Sequence, residues 1–170
     1  MIQQAIECDD PIIFYEPKRR YHERAEVDLT AAAAPRALFA ANIARAGEHL
    51  TLAAYGPMVK VCLDAATAAA QEGKSIEVID LRSLSPLDLD ALAASVEKTG
   101  RLVVAHEAPT FLGMGSEIAA AISQRCFYHL ESPVIRVGGY NLPYPPSRLE
   151  EEFLPDLDRV LDGVDRALAY

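Results

Sequence analysis

The sequence predicts an α/β domain built on a mainly parallel sheet, and two patterns predict it. From His49 onward, short apolar runs alternate with stretches of helical periodicity, as in strands joined by crossover helices. One run, Leu102 to Ala105, is apolar at every position. A strand that is apolar on both faces belongs inside a parallel sheet covered by helices. We expect three layers, α/β/α, with a mainly parallel five-stranded sheet and one antiparallel strand.

Ile2 to Cys8 reads as the end of a helix, and Pro11-Ile-Ile-Phe-Tyr15 as a buried strand. A helix tail and one strand cannot close a core, so residues 1–24 read as the edge of something larger or as a segment docked on a partner. Lys18, Arg19 and Arg20 stand out in an acidic chain. We read them as a solvated turn rather than a subunit contact. Residues 25–37 read as a linker, because Ala31 to Ala34 has no periodic apolar face and Pro35 ends any short helix there.

The domain proper spans 38–170. Leu38 to Ala46 is a first short strand, taken as antiparallel because little chain separates it from the next. Leu50 to Tyr55 is a strand stopped by Gly56-Pro57, and Pro57 suits the first turn of a helix. That helix buries Met58, Cys62, Ala66 and Ala69 and is capped by Gly73. Ile76 to Ile79 is the next strand, with Asp80 at its end. Ser85 is the expected N-cap of a helix burying Leu89, Leu92, Ala93 and Val96, with Asp88 in its first turn and Gly100 closing it. Leu102 to Ala105 follows as the central strand, turning polar at His106 and Glu107. A glycine-rich loop leads to a helix from Ser116 to Cys126, and Val134 to Val137 is the last strand. Tyr140 to Pro146 is too proline-rich for helix or paired strand. Leu149 to Phe153 reads as a helical turn. Asp156 to Leu168 is an amphipathic helix with Leu157, Val160, Leu161, Val164 and Leu168 inward and four aspartates outward.

At 170 residues, 51% hydrophobic and 24% charged, the chain suits one ordinary domain with a sizeable core. A net charge of −9 argues against nucleic acid or an anionic membrane as partner. No apolar run approaches bilayer-spanning length, and the N-terminus lacks the basic start and apolar core of a signal peptide. Cys8, Cys62 and Cys126 form no paired metal spacing and read as reduced thiols of a cytoplasmic protein.

Few residues carry a chemical signal. Gly113-Met-Gly115 precedes a helix, but Ile118 stands where a dinucleotide loop has its third glycine. His106 and Glu107, at a strand's carboxyl end, are the best catalytic candidates on local grounds. We read them instead as hydrogen-bonding the loop and an adjoining chain. Asp80 and Arg82 suggest an ion pair at the neighbouring strand end. Tyr140 and Tyr144 lie in the proline-rich loop, where an interface role and local packing on the last helix are equally open. His22, His49 and His129 are isolated and read as surface residues.

Four blocks, Pro11-Ile-Ile-Phe-Tyr-Glu-Pro-Lys18, Glu77-Val-Ile-Asp-Leu-Arg-Ser-Leu-Ser-Pro86, Lys98-Thr-Gly-Arg-Leu-Val-Val-Ala-His-Glu-Ala-Pro109 and Phe153-Leu-Pro-Asp156, occur in order. They strongly resemble the beta subunit of thiamine-diphosphate-dependent 2-oxo-acid dehydrogenases. The wording of Pro17-Lys-Arg-Arg-Tyr21 and Pro143-Tyr-Pro-Pro146 is most similar to the branched-chain (2-oxoisovalerate) type, with pyruvate and acetoin dehydrogenases close relatives. The resemblance implies that residues 1–24 are the remnant of a preceding pyrimidine-binding domain and that 38–170 is a transketolase C-terminal-type domain. It implies no catalytic, cofactor-binding or metal residue in this chain, since the family's cofactor glutamate and catalytic histidine lie in the other domain and His106 does not match that histidine. Thiamine diphosphate and magnesium belong to the full enzyme. The implied partners are the alpha subunit, a second beta subunit and the subunit-binding domain of the lipoyl acyltransferase, the last held near the beta C-terminus, here Tyr170. We expect an inactive, weakly homodimeric assembly domain. The alternative is a free-standing interaction module of the same fold.

Overall fold

A computed structural model describes residues 1–24, 26 and 37–170. Helix α1 (Ile2–Glu7) and a 3-10 turn at Lys18–Arg20 precede strands β1 (Asn42–Arg45) and β2 (Leu50–Ala54). Helix α2 (Met58–Gln71), strand β3 (Ile76–Asp80), helix α3 (Leu89–Thr99) and strand β4 (Leu102–Pro109) follow. Helix α4 (Met114–Arg125), strand β5 (Ile135–Gly139), helix α5 (Glu150–Phe153) and helix α6 (Leu157–Leu168) complete the chain.

The five strands form one sheet in the order β1-β3-β2-β4-β5, parallel except for β1. The antiparallel strand expected at the start is therefore present, but its partner is β3 and not its sequence neighbour β2. The short connection explains this. Gly47 crosses the start of β3 so closely that a Cβ there would sit 2.1 Å from the Glu77 backbone nitrogen. Glu48 and His49 then donate their amide N–H groups to Ser75 O, at 3.2 and 2.8 Å. The chain thus steps over β3 and enters the sheet on its other side.

From β2 the chain moves outward to β3 and then returns across β2 to β4. Right-handed crossovers place helices on opposite faces when the direction reverses. Leu50, Leu52, Val103 and Val137 accordingly pack with Met58, Cys62 and Ala66 of α2 and Val160 and Val164 of α6. Ala53, Ile79 and Val104 pack on the other face with Leu92 and Val96 of α3 and Ile118 and Ile122 of α4. Val103 and Val104 are neighbours in sequence, fully buried, and belong to different cores. Burial on both faces is what the uninterrupted apolar run required. The middle position of the sheet, however, belongs to β2, with β4 beside it.

Several boundaries differ from expectation. Pro11 to Tyr15 is not a buried strand. It runs without strand pairing, and Ile13 and Tyr15 are 79% and 85% exposed. The apolar run has the composition of a core strand, but among the described residues no sheet edge receives it. Lys18–Arg20 forms the expected turn, where Arg20 pairs with Glu23 at 2.6 Å. The 25–37 linker lies outside the described residues except for Glu26 and Ala37.

The N-cap of α3 is Asp88, not Ser85. Its carboxylate accepts from Ala91 N at 3.0 Å and from Ala41 N at 2.9 Å, so it caps the helix and pins the entry to β1 together. Helix α4 begins at Met114, two residues before Ser116, and β5 runs on through both glycines to Gly139. Leu157 is exposed rather than inward, and Gly163 and Ala167 take the buried face of α6 with Val160 and Val164.

Candidate functional site

In a doubly wound sheet the place to look is the carboxyl edge where the strand order reverses. Here that point lies between the ends of β2 and β4, at Tyr55 and His106. The sequence suggests that β4 ends before His106. Instead the strand continues to Pro109 and His106 is a fully buried strand residue. Its ring stacks on Tyr55, with centroids 6.1 Å apart and planes at 25°.

The other side of the ring is closed by backbone. A Cβ on Gly115 would stand 2.5 Å from His106 Nε2. One on Gly113 would stand 2.8 Å from Cε1, and one on Gly138 would stand 3.0 Å from Cε1. Glycine is required at these positions because no side-chain atom fits between the loop and the ring. His106 Nδ1 lies 2.8 Å from Ala108 O. A carbonyl only accepts, so Nδ1 carries the proton, and in the neutral ring Nε2 is then a lone pair. That Nε2 is buried and has no hydrogen-bond partner among the described residues. Burial holds the imidazole below its ordinary range, opposed by the Ala108 contact and reinforced by the positive charge of Arg136. Burial likewise raises the Tyr55 phenol, with the nearby Glu107 charge adding to it.

His106 thus bonds the end of its own strand and lies against the glycines of the loop beyond it. Arg136 of β5 completes the loop's anchorage, donating to Thr110 O at 3.0 Å and Ser116 Oγ at 2.6 Å. Arg136 was not singled out from the sequence, and no local pattern around it marks this role.

The remaining candidates do not converge on His106. At the end of β3, Asp80 accepts from the Arg82 backbone N–H at 3.1 Å. The Arg82 guanidinium turns elsewhere, to Ala40 O at 3.1 Å and Met1 Sδ at 3.0 Å. The expected ion pair is thus a backbone turn, with Arg82 at φ 59°. Burial raises the Asp80 carboxyl, against the Arg82 N–H and charge. Beyond β5, Tyr140 and Tyr144 pack edge-on against Phe153, with centroids 6.3 and 5.4 Å away. Arg159 of α6 lies 4.5 Å over the Tyr140 ring and also donates to Gly138 O and Phe153 O. Beside them a groove of about 480 Å³ is lined by Arg136, Arg159 and Arg166 with Asp156, Asp158 and Asp162, its charges balanced. Tyr170 stands apart, 73% exposed at the chain's end.

At the opposite edge, sequence reading missed a buried polar network. Thr51 Oγ1 meets Ser95 Oγ at 2.6 Å and Thr99 Oγ1 at 2.8 Å. Ser95 donates to Glu77 Oε1, and Lys98 to Oε2, each at 2.5 Å. Burial alone would raise the Glu77 carboxyl, but Lys98, Ser95 and Gly47 N–H together hold it below its ordinary range.

The chain's residues from 40 to 160 match the family model of the transketolase C-terminal domain. The chain belongs to that family. It is also 52% identical, over its whole length, to the pyruvate dehydrogenase E1 component subunit beta of Leifsonia xyli subsp. xyli, spanning 50% of that protein. With the 3-methyl-2-oxobutanoate dehydrogenase subunit beta of Mycobacterium tuberculosis it shares 48% identity over 99% of this chain and 48% of the relative. A solved split-gene transketolase, described as an inactive beta4 tetramer, superimposes with a TM-score of 0.67 at 26% identity, over 84% of this chain and 46% of that one. The chain thus spans about half the length of the curated relatives it matches.

Thiamine diphosphate and a magnesium ion do not fit the switch-point crevice. The helix N-terminus that would receive a diphosphate is pressed against His106 through Gly113 and Gly115. Among the described residues, no group of three or more His, Cys, Asp and Glu side chains could hold a metal ion.

Proposed function

We propose that this chain is the assembly domain of a 2-oxo-acid dehydrogenase beta subunit, of the branched-chain type, and works in the cytoplasm. In the full complex that enzyme would decarboxylate branched-chain 2-oxo acids oxidatively and pass the acyl group to lipoyl groups. This domain would pair with a second beta subunit, contact the alpha subunit, and receive the acyltransferase's subunit-binding domain near Tyr170.

The observation that carries the reading is the switch-point crevice filled by the chain's own His106 and Tyr55. A domain whose usual ligand position is a packed core contributes surface rather than chemistry. Similarity along this chain to about half the length of named dehydrogenase beta subunits supplies the context. The exposed Ile13, Phe14 and Tyr15 offer apolar surface for a neighbour to cover. The branched-chain assignment rests on the wording of Pro17-Lys-Arg-Arg-Tyr21 and Pro143-Tyr-Pro-Pro146 and on the 3-methyl-2-oxobutanoate relative. The pyruvate relative is the specific observation favouring a pyruvate enzyme instead.

Sedimentation of the chain over a concentration series, followed by calorimetry with the acyltransferase subunit-binding domain, tests the assembly role. We expect a weak dimer and saturable binding of that domain. A strict monomer that ignores it would overturn the role. Assays of the enzyme assembled with its remaining parts would decide the substrate, with 2-oxoisovalerate turned over in preference to pyruvate.

A further inference from the structure

We propose that His106 is an acid-operated latch: neutral, it holds the 108–113 loop and the start of α4 closed over the sheet edge, and a proton on Nε2 releases them. The argument starts from the room around that atom. Among the described residues Nε2 is buried with no hydrogen-bond partner, and a Cβ on Gly115 would stand 2.5 Å from it. A proton added there becomes a buried donor with no acceptor among the described residues, and it places a positive charge in a buried site, which such surroundings disfavour. The ring cannot turn to escape, because Tyr55 stacks on one side and Nδ1–H is spent on Ala108 O.

The charged and titratable neighbours on each packed element agree. Arg136 from β5 repels the imidazolium. Tyr55 from β2 is a neutral phenol whose own ionisation is pushed upward. On α4, the first-turn Glu117 is exposed, while the helix's positive N-terminal end faces the ring. Glu107 on β4 itself is the acidic neighbour, and it adjoins Tyr55. Burial, with the charge of Arg136, lowers the imidazole below its ordinary range, and the neutral ring is favoured.

The structure nearest the ring is also what would yield. The loop beyond Pro109 ends in Phe111 and Leu112, which are 63% and 86% exposed, with Leu112 at φ 55°. Thr110 O, Ser116 Oγ and Arg136 tie it down on the solvent side, and His106 ties it down from beneath. Opening would let water reach Nε2 while β2 and β3 stay paired. Each unit by which the folded pKa is depressed corresponds to about a tenfold preference for the open form once the ring is charged.

Hydrogen–deuterium exchange of the full chain at about pH 7.5 and about pH 5, corrected for intrinsic exchange, reads the latch. We expect opening of peptides covering 108–118 to rise about tenfold or more at the lower pH, with the β2 peptide unchanged. His106→Gln can keep a donor toward Ala108 O but cannot titrate, so the pH dependence should vanish. A wild-type loop equally protected at both values, or the same rise in His106→Gln, overturns the proposal. Imidazole proton shifts of the wild type decide independently should the variant not fold. Titration at the ordinary value near 6.5 with the loop still protected would also refute the latch. A lower midpoint that coincides with loop opening supports it.

Discussion

Gly115→Ala sets two effects of known sign against each other. Gly115 lies in the first turn of α4, where alanine is favoured over glycine by about 1 kcal/mol of helix propensity. Its Cβ, however, would stand 2.5 Å from His106 Nε2 and 3.0 Å from Cδ2. His106 is fully buried between Tyr55 and the loop, so it has nowhere to move. Overpacking of this kind costs roughly 1–3 kcal/mol, and here the obstacle is a clamped ring rather than a flexible chain end. The clash should therefore outweigh the propensity gain, for a net loss of up to about 2 kcal/mol. In a domain of this size that lowers Tm by up to about 8 °C. Circular-dichroism melts of the single variants and of the double variant with His106→Ala would measure it. With the ring removed, the same Gly115→Ala change should become neutral or stabilising, a reversal of sign within one double-mutant cycle. An unchanged or higher Tm for Gly115→Ala alone would refute the reasoning, because the cradle would then be loose.

Two further substitutions probe the sheet and the buried network. Val104→Asp places an unpaired carboxylate in the core shared with Leu92 and Ile118, and should cost several kcal/mol in a denaturant titration; an unchanged midpoint would show that β4 is not interior. Glu77, with its folded pKa depressed, contributes stability that is fully present above the ordinary carboxylate range and lost as pH falls through the folded value. Glu77→Gln should therefore be less stable at neutral pH and flatten the acid limb of a stability-against-pH profile; a parallel limb would show that Glu77 is not the group responsible.

The fold was legible because its causes are local and repeated. Val103 and Val104 had to face opposite cores once both were apolar, and Gly73 and Gly100 close their helices at φ 77° and 70°. The site was less legible because it depends on distant approach. Glycine spacing before α4 shows a tight turn, but not that His106 lies beneath it, since Gly138 reaches the same ring from another strand. Ser85 and Asp88 are both good caps by residue type; Asp88 takes the role because its carboxylate accepts from Ala91 N and is also tied to Ala41, 47 positions away. Pro11 to Tyr15 failed for a related reason. Apolar composition describes what a segment would bury, and burial needs a facing surface that composition does not supply.

The polar groups of this domain divide by edge, and the division bears on what the domain is for. At the amino edge, Thr51, Glu77, Ser95, Lys98 and Thr99 satisfy one another, leaving a rigid network with a paired charge. Such a network fixes the relation of α3 to the sheet and leaves little to respond to a ligand. At the carboxyl edge the same fold leaves one lone pair unsatisfied under three glycines. Its neighbours there are the exposed tips of the adjoining loop, Phe111 and Leu112. A partner seated on those tips would bury apolar surface and hold the loop down over His106, because both contacts share the 108–113 backbone. By linkage, whatever stabilises the closed loop must also disfavour protonation of His106. An assembly contact on this edge would therefore be weakened by acid, while one confined to the amino edge or to Tyr170 would not respond through this route. The pH dependence of association thus distinguishes which edge of the sheet carries the interface.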